Sequence, residues 1–181
     1  MKKAFTLIEV NLAIMIMAFG ILGIISLYSF GFREERQSRE DVASAAYADA
    51  VMGPLVTALT ATNVTWENFN AIKSYPESFG WGSYMDRNTG KIVSKDRIRT
   101  IAETAYSRTI GALKLGEGFP SQIQVSDSQT GKLTPALVVM HDADSAVVRI
   151  SFRAVDRERT DTLMSAPLYY TEARFQGVMG E

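Results

Sequence analysis

Among the side chains of this sequence that could take part in catalysis, the first to consider is His141. It is the only histidine among the 181 residues, and the chain contains no cysteine. A single histidine excludes a two-histidine metal site within one chain, and the lack of cysteine excludes thiol nucleophiles, cysteine-ligated metals and disulfides. A Ser-His-Asp arrangement would have to recruit His141 from the end of a strand, and no nucleophile motif lies near it. We therefore predict a structural histidine and no catalytic residue.

Two carboxylates lie within three residues after the histidine. Asp142 and Asp144 could bind calcium, but two carboxylates fall short of the roughly 6 to 8 oxygen ligands that calcium takes. The sequence Asp-Ala-Asp-Ser at 142–145 also has the composition of a tight turn. We predict a hairpin turn here, with no metal and no cofactor.

A basic region could bind a polyanion. It comprises Arg149, Arg153, Arg157 and Arg159. Strand spacing would place the first two on one face, where DNA or polysaccharide could contact them. Asp156, Glu158 and Asp161 lie among these arginines, so a charge-balanced strand end and loop is the favoured interpretation.

Aromatic side chains are concentrated in the stretch 63–90, which is also rich in Asn, Ser and Gly. They are Trp66, Phe69, Tyr75, Phe79, Trp81 and Tyr84. Such a set could form a carbohydrate-binding or pore-facing surface, but aromatics more often bury a connector against a small domain. We predict the second arrangement.

Length and charge limit the whole chain to one modest domain with an extension. The formal net charge is −1, which lacks the basic excess of a nucleic-acid-binding domain. The extension is visible at the N-terminus, where the 23 residues 10–32 carry no charge. As a helix they would span about 35 Å against a bilayer core of roughly 30 Å. A secretory signal has a shorter apolar region and a small-residue cleavage site after it, whereas this run ends in Arg33-Glu34-Glu35-Arg36.

Charges on either side of the apolar run predict its orientation and its continuation. Lys2 and Lys3 are the only basic residues before it, so the positive-inside rule places the N-terminus in the cytoplasm. After it, Glu35 with Arg39 and Arg36 with Glu40 are spaced i,i+4 and extend the helix as ion pairs. Glu9 lies near the start of the apolar run, where an ionised carboxylate in hydrocarbon costs about 3 kcal/mol. It either lies in the headgroup region or requires a partner.

The N-terminal motif resembles that of a known family. Lys2-Lys3-Ala4 followed by FTLIEV at 5–10 is similar to the class III signal of type IV pilins and pseudopilins. The resemblance implies that a prepilin peptidase cuts between Ala4 and Phe5 and methylates the new Phe5 amine. It also implies that Glu9, the fifth residue of the processed chain, meets the N-terminal amine of a neighbouring subunit in the membrane. Such a pair would offset desolvation of both ions and set the register of adjacent helices.

Other positions refine the resemblance. Ala4 stands where the family usually has glycine, and Ser26 stands where many major pilins have proline. The apolar segment 18–24, AFGILGI, is similar to V-type minor pilins and to I-type pseudopilins of type II secretion. This favours a minor subunit over the major one.

Beyond the apolar run, periodicity predicts the remaining elements. A helix over 33–62 should be interrupted at Gly53-Pro54, with Pro54 alternatively opening a second short helix. Ser94 could cap a helix over 95–113. Alternating patterns predict four strands, at 122–125, 136–141, 146–154 and 168–175. The inward set on the third is Val148, Ile150 and Phe152.

Together these patterns predict an α+β, pilin-like fold: a long N-terminal membrane-spanning helix packed on a C-terminal antiparallel sheet of about four strands. The expected segments are a leader at 1–4, a transmembrane and assembly helix at 5–32, an exposed amphipathic continuation at 33–62, and an extracytoplasmic α+β head domain at 63–181. The resemblance implies a structural subunit of a type IV pilus or type II secretion-like filament, anchored in the inner membrane. Its partners would be other pilins or pseudopilins and prepilin peptidase. Two alternatives are a single-pass anchored module that binds carbohydrate, DNA or an envelope partner, and a membrane-tethered hydrolase built on His141.

Overall fold

The computed structural model describes residues 6–77, 80–116, 118–124, 132–156 and 160–177. Within them the chain is α+β, as expected. Its helices and strands are α1 (Leu7–Leu59), α2 (Trp66–Asn70), α3 (Lys95–Leu113), β1 (Leu133–His141), β2 (Val147–Asp156) and β3 (Leu168–Arg174). Short 3-10 helices lie at Gly80–Tyr84 and Thr160–Thr162. The chain divides into two compact units, Met1–Val42 and Ala43–Glu181, and residues 1–5 of the first lie outside the described ranges.

The first unit consists of the N-terminal part of α1. Every side chain from Thr6 to Val42 is exposed. Among the described residues, α1 is the one helix long and apolar enough to cross a membrane, a test that a signal sequence also passes. An exposed apolar surface of this length is compatible with a membrane-spanning segment.

The helix α1 is continuous through Ser26 and through Gly53-Pro54. At Ser26 the hydroxyl donates to the Leu22 carbonyl at 2.9 Å, and the helix goes on. The predicted interruption at Gly53-Pro54 is wrong, because Pro54 lies inside α1. Proline there removes one backbone hydrogen bond, but the turns around it place Val51 and Leu55 in the core, and this burial maintains the helix.

The second unit is built around the C-terminal part of α1, α3 and the sheet. From α1, Tyr47 packs edge-on against Phe152 of β2 at 5.4 Å between ring centroids. The Ser44 hydroxyl lies 2.8 Å from the Tyr169 hydroxyl of β3. The helix α3 has the predicted bounds, and Ser94 occupies its N-cap position, but the Ser94 side chain makes no capping hydrogen bond.

The sheet has the order β1-β2-β3, antiparallel throughout. Val148, Ile150 and Phe152 are buried, as the alternation predicted. The structure describes three strands, and the predicted fourth is not confirmed: residues 122–124 are irregular, and Val125 lies outside the described residues. The segment 122–124 is short and polar on either side of Ile123, so it offers little apolar surface to hold a strand against a sheet.

Candidate functional site

The candidate assembly site begins with Glu9, at the first turn of α1. Thr6 precedes the helix, and its backbone N–H and hydroxyl both donate to Oε2 of Glu9, at 2.9 and 3.0 Å. In return the Glu9 backbone N–H approaches the Thr6 hydroxyl oxygen at 3.4 Å. This reciprocal Thr-x-x-Glu arrangement is a capping box, in which residues at the N-cap and third helical position satisfy each other's free backbone donors.

The cap gives Glu9 a role that the sequence interpretation missed. It could have been found, because Thr followed three residues later by Glu before an apolar run is a recognised helix-start pattern. The cap uses Oε2, and the other oxygen, Oε1, makes no hydrogen bond within the described ranges; the side chain is exposed. The arrangement can therefore orient the carboxylate while leaving one oxygen able to accept from a cation outside the chain. Ala4 and Phe5, the predicted cleavage and methylation residues, lie outside the described residues.

An apolar surface extends from Glu9 along the helix. Its large exposed side chains include Leu12, Ile16, Phe19, Leu22, Leu27 and Phe30. A shallow groove near its C-terminal end is lined by Ile24, Leu27, Tyr28, Gly31, Phe32 and Glu35. Gly31 has open space where a side chain would stand, which leaves the backbone accessible to a neighbouring helix.

The apolar surface ends in a charged and exposed segment, 33–42. Of the two predicted ion pairs, Glu35 with Arg39 forms, at 2.6 Å. No ion pair between Arg36 and Glu40 occurs in the described structure. The surviving pair is exposed and contributes a few tenths of a kcal/mol at most.

His141 is a structural residue. It is buried, with Nδ1 2.9 Å from the Ile72 carbonyl oxygen and Nε2 2.8 Å from the Ser145 carbonyl oxygen. Its ring meets Phe69 edge-on at 5.4 Å. Both ring nitrogens thus lie within hydrogen-bond distance of backbone carbonyl oxygens.

Asp142 and Asp144 lie in the turn between β1 and β2. The Ser145 N–H donates to the Asp142 carbonyl at 3.0 Å, and Asp144 has a left-handed backbone with φ of 62°. The Asp144 carboxylate accepts from Asn70 at 3.1 Å, and the Asp144 N–H donates back to Asn70 at 2.9 Å. No group of three or more acidic or histidine side chains suited to a metal occurs in the described part of the chain.

The two arginines of this region that the structure describes, Arg149 and Arg153, both have partners. Arg149 lies 3.7 Å from Glu172. Arg153 donates to the carbonyls of Met164 and Ala166 at 2.9 and 2.5 Å, and stacks over Trp81 at 5.1 Å. Burial lowers the pKa of the Arg153 guanidinium. Arg157 and Arg159 lie outside the described residues.

Most of the connector's aromatics pack inward. Phe69 and Tyr84 are fully buried, and Trp66 contacts Phe175 at 5.3 Å. The Arg108 guanidinium lies 4.8 Å from the Tyr75 ring centre. Phe79 lies outside the described residues.

The same connector covers the outer edge of β1, which sequence reasoning did not find. The Tyr84 hydroxyl donates to the Leu137 carbonyl at 2.7 Å and accepts from the Leu137 N–H at 2.9 Å. The backbone of Tyr75 exchanges two hydrogen bonds with Val139, both 2.8 Å. The Ser74 hydroxyl does the same for His141, at 2.9 Å each way. Three successive outward positions of β1 are therefore satisfied.

Comparisons of the chain with protein-family models, with curated proteins and with solved structures give no match.

Proposed function

We propose that this chain is a non-enzymatic structural subunit, a minor pilin or pseudopilin, of a type IV pilus or type II secretion-like filament. The single observation that carries the proposal is the N-terminal part of α1: an uncovered apolar helix with one carboxylate at its first turn, preceded by the class III-like residues Lys2-Lys3-Ala4-Phe5. No catalytic group is part of this proposal. The work of the chain is assembly.

In this proposal the inner membrane holds the subunit through the apolar surface of α1 until it docks. Hydrolysis of the Ala4–Phe5 peptide bond by prepilin peptidase releases the leader and creates an amine at Phe5, which is then methylated. Glu9, oriented by Thr6 through Oε2, would accept from the N-terminal amine of a neighbouring subunit through Oε1. A charge-assisted hydrogen bond in a low-dielectric surrounding is strong and directional, so it would fix the axial register of the two helices.

The processing step is tested by mass spectrometry of the intact protein isolated from membranes. We expect a mature form that begins at methylated Phe5. An Ala4→Gly variant, with the residue the family usually has, should be processed at least as fully. An intact Met1 terminus in both proteins, in cells with active prepilin peptidase, would contradict the proposal and would favour the anchored binding module.

The docking step is tested by three substitutions at the capping box. Glu9→Gln keeps the cap, because glutamine also serves at this position, but it removes the charge. Thr6→Ala removes the capping side chain and keeps the charge. We expect Glu9→Gln and Glu9→Ala to lower incorporation into sheared filaments, measured by immunoblot, while Thr6→Ala retains most of it. Normal incorporation of Glu9→Gln would show that Glu9 serves only as a cap.

A further inference from the structure

The two edges of the sheet differ in how many of their backbone groups are hydrogen-bonded. Along β1, the outward N–H and C=O groups of Leu137, Val139 and His141 are bonded by the connector. Edge strands with free backbone groups pair readily with other chains, so proteins usually cover or disrupt them. The opposite edge is β3.

The direction of the free groups on β3 follows from the ladder. In an antiparallel pair, successive residues point their N–H and C=O groups to opposite sides. The backbone groups of Leu137 and Val139 point away from β2. The backbone groups of their β2 partners, Phe152 and Ile150, therefore point towards β3. There they pair with Tyr169 and Thr171. The bond from the Phe175 N–H to the Ala146 carbonyl, 2.9 Å, continues the same phase.

The outward residues of β3 are therefore Leu168, Tyr170, Glu172 and Arg174. No backbone hydrogen bond reaches this edge from the residues that the structure describes. The side chains of Leu168 and Tyr170 are 51% and 53% exposed. The edge thus combines unused backbone groups with apolar surface.

We propose that β3 pairs with β3 of a second copy of this chain, antiparallel and centred on Thr171, to give one six-stranded sheet. In this register Tyr170 lies opposite Glu172 of the second copy, and Leu168 lies opposite Arg174. These are the residues whose backbone groups point outward, so every such pair can exchange two hydrogen bonds. Thr171, whose groups point inward, lies at the two-fold axis as a non-hydrogen-bonded pair.

The outward residues of β3 are complementary to the same residues of a second copy. Within one copy the Tyr170 hydroxyl already donates to the Glu172 carboxylate, and the two-fold register brings the same donor and acceptor face to face between copies. The aliphatic stem of Arg174 lies against Leu168 of the other copy. In this register the donor Tyr170 meets the acceptor Glu172 twice, once on each side of the two-fold axis, which favours a second copy over an unrelated strand.

A dimer formed in this way has closed two-fold symmetry. A two-fold interface uses the same surface on both copies and does not propagate. It is therefore a property of paired subunits, separate from the repeating contacts of a filament, and it does not depend on the role proposed for α1.

A cysteine at the two-fold axis tests the pairing directly, since the chain has no cysteine of its own. Full-length Thr171→Cys is oxidised in membranes and separated on a non-reducing gel. Non-hydrogen-bonded Cα atoms lie about 4.5 Å apart, within disulfide range. We expect a reducible dimer as the main species.

The matched control is Glu172→Cys on the same strand. Its two copies would lie more than about 7 Å apart in this register, too far for a disulfide, so its dimer should be absent. Equal dimer in both variants, or none in Thr171→Cys, would overturn the proposal.

A second variant tests whether the backbone edge is required. Adding Tyr170→Pro to Thr171→Cys removes one outward N–H without removing a bond to β2, as an edge strand tolerates. We expect loss of the dimer with an unchanged circular dichroism spectrum. Dimer retained at full level in this folded double variant would also overturn the proposal.

Discussion

At the scale of single residues, the Tyr84 hydroxyl satisfies both backbone groups of Leu137 in a fully buried position. Tyr84→Phe keeps the ring and removes the hydroxyl. A buried N–H and a buried C=O would then lack partners, and each such group costs about 1–3 kcal/mol. We expect the free energy of unfolding to fall by about 2–4 kcal/mol, measured by urea denaturation of the detergent-solubilised chain.

Tyr170→Phe is the matched control for that prediction. The Tyr170 hydroxyl contacts only Glu172 at the surface, within the residues described. Its removal should change the unfolding free energy by less than about 0.5 kcal/mol. Equal effects of the two substitutions would contradict a special role for the Tyr84 hydroxyl.

The same phenol makes stability depend on alkaline pH. Burial raises the pKa of Tyr84 above its ordinary value of 10.0. The unfolded chain therefore releases this proton first as pH rises, so the contribution is complete below about pH 10 and declines above it. We expect the unfolding free energy to lose about 1.4 kcal/mol per pH unit from this group above pH 10. Tyr84→Phe should lack that part of the slope; an identical slope in both proteins would refute the assignment.

How far these residues could be predicted depends on the distance to their partners. Glu9 was found because a charge interrupts an apolar run, and its cap could have been found because Thr6 is three residues away. The role of Tyr84 could not be predicted, because Leu137 lies 53 positions further along the chain. Nothing in the local sequence pattern pairs the two residues. The inward role of Arg153 was also missed, because its acceptors, the Met164 and Ala166 carbonyls, lie 11 and 13 positions further on, beyond the end of β2.

At the scale of elements, α1 contains a proline that local rules place at a break. Pro54 has no N–H to donate to the Ala50 carbonyl, one turn earlier. The helix nevertheless continues to Leu59, since Val51, Leu55, Ala58 and Leu59 are buried in the core. Tertiary burial outweighs the local cost of proline here.

Pro54→Ala should therefore stabilise the chain. The substitution supplies the missing backbone N–H and a residue of high helix propensity. The packing lost with the proline ring is modest, because the ring is only half-buried. We expect the unfolding free energy to rise by about 1–3 kcal/mol, measured as a higher urea midpoint.

Gly53→Ala provides the comparison at the adjacent position. A Cβ at Gly53 would meet nothing within 4 Å, so a gain of about 0.5–1 kcal/mol is expected from backbone entropy alone. A loss of stability in Pro54→Ala alongside a gain in Gly53→Ala would show that the proline ring, and not the helix, dominates at this turn.

Elements with strong periodicity were predicted well. The bounds of α3 and the inward set of β2 follow from spacing alone, because the core lies on one side of each. The segment 122–125 was predicted as a strand on weak alternation, and residues 122–124, its described part, have no strand partner in the described structure. A strand requires a partner, which a single segment does not specify.

At the scale of the whole molecule, exposure changes sharply along α1. Side chains from Thr6 to Val42 are all exposed, and the first buried one is Ser44. The order of helix before antiparallel sheet was predicted from periodicity. The resemblance covers the N-terminal residues only, so it carries no information on how the second unit packs.

The division between the two units leads to the final prediction. Because no buried residue lies between Thr6 and Val42, the core of the second unit should not require them. A chain that begins at Ala43 should remain in the supernatant after ultracentrifugation without detergent. Its unfolding free energy, measured by urea denaturation, should match that of the full-length protein within about 0.5 kcal/mol. Full-length protein should sediment with membranes, because its uncovered apolar side chains require lipid. A truncated chain that aggregates or unfolds at a much lower midpoint would show that the apolar half of α1 is needed to fold the rest.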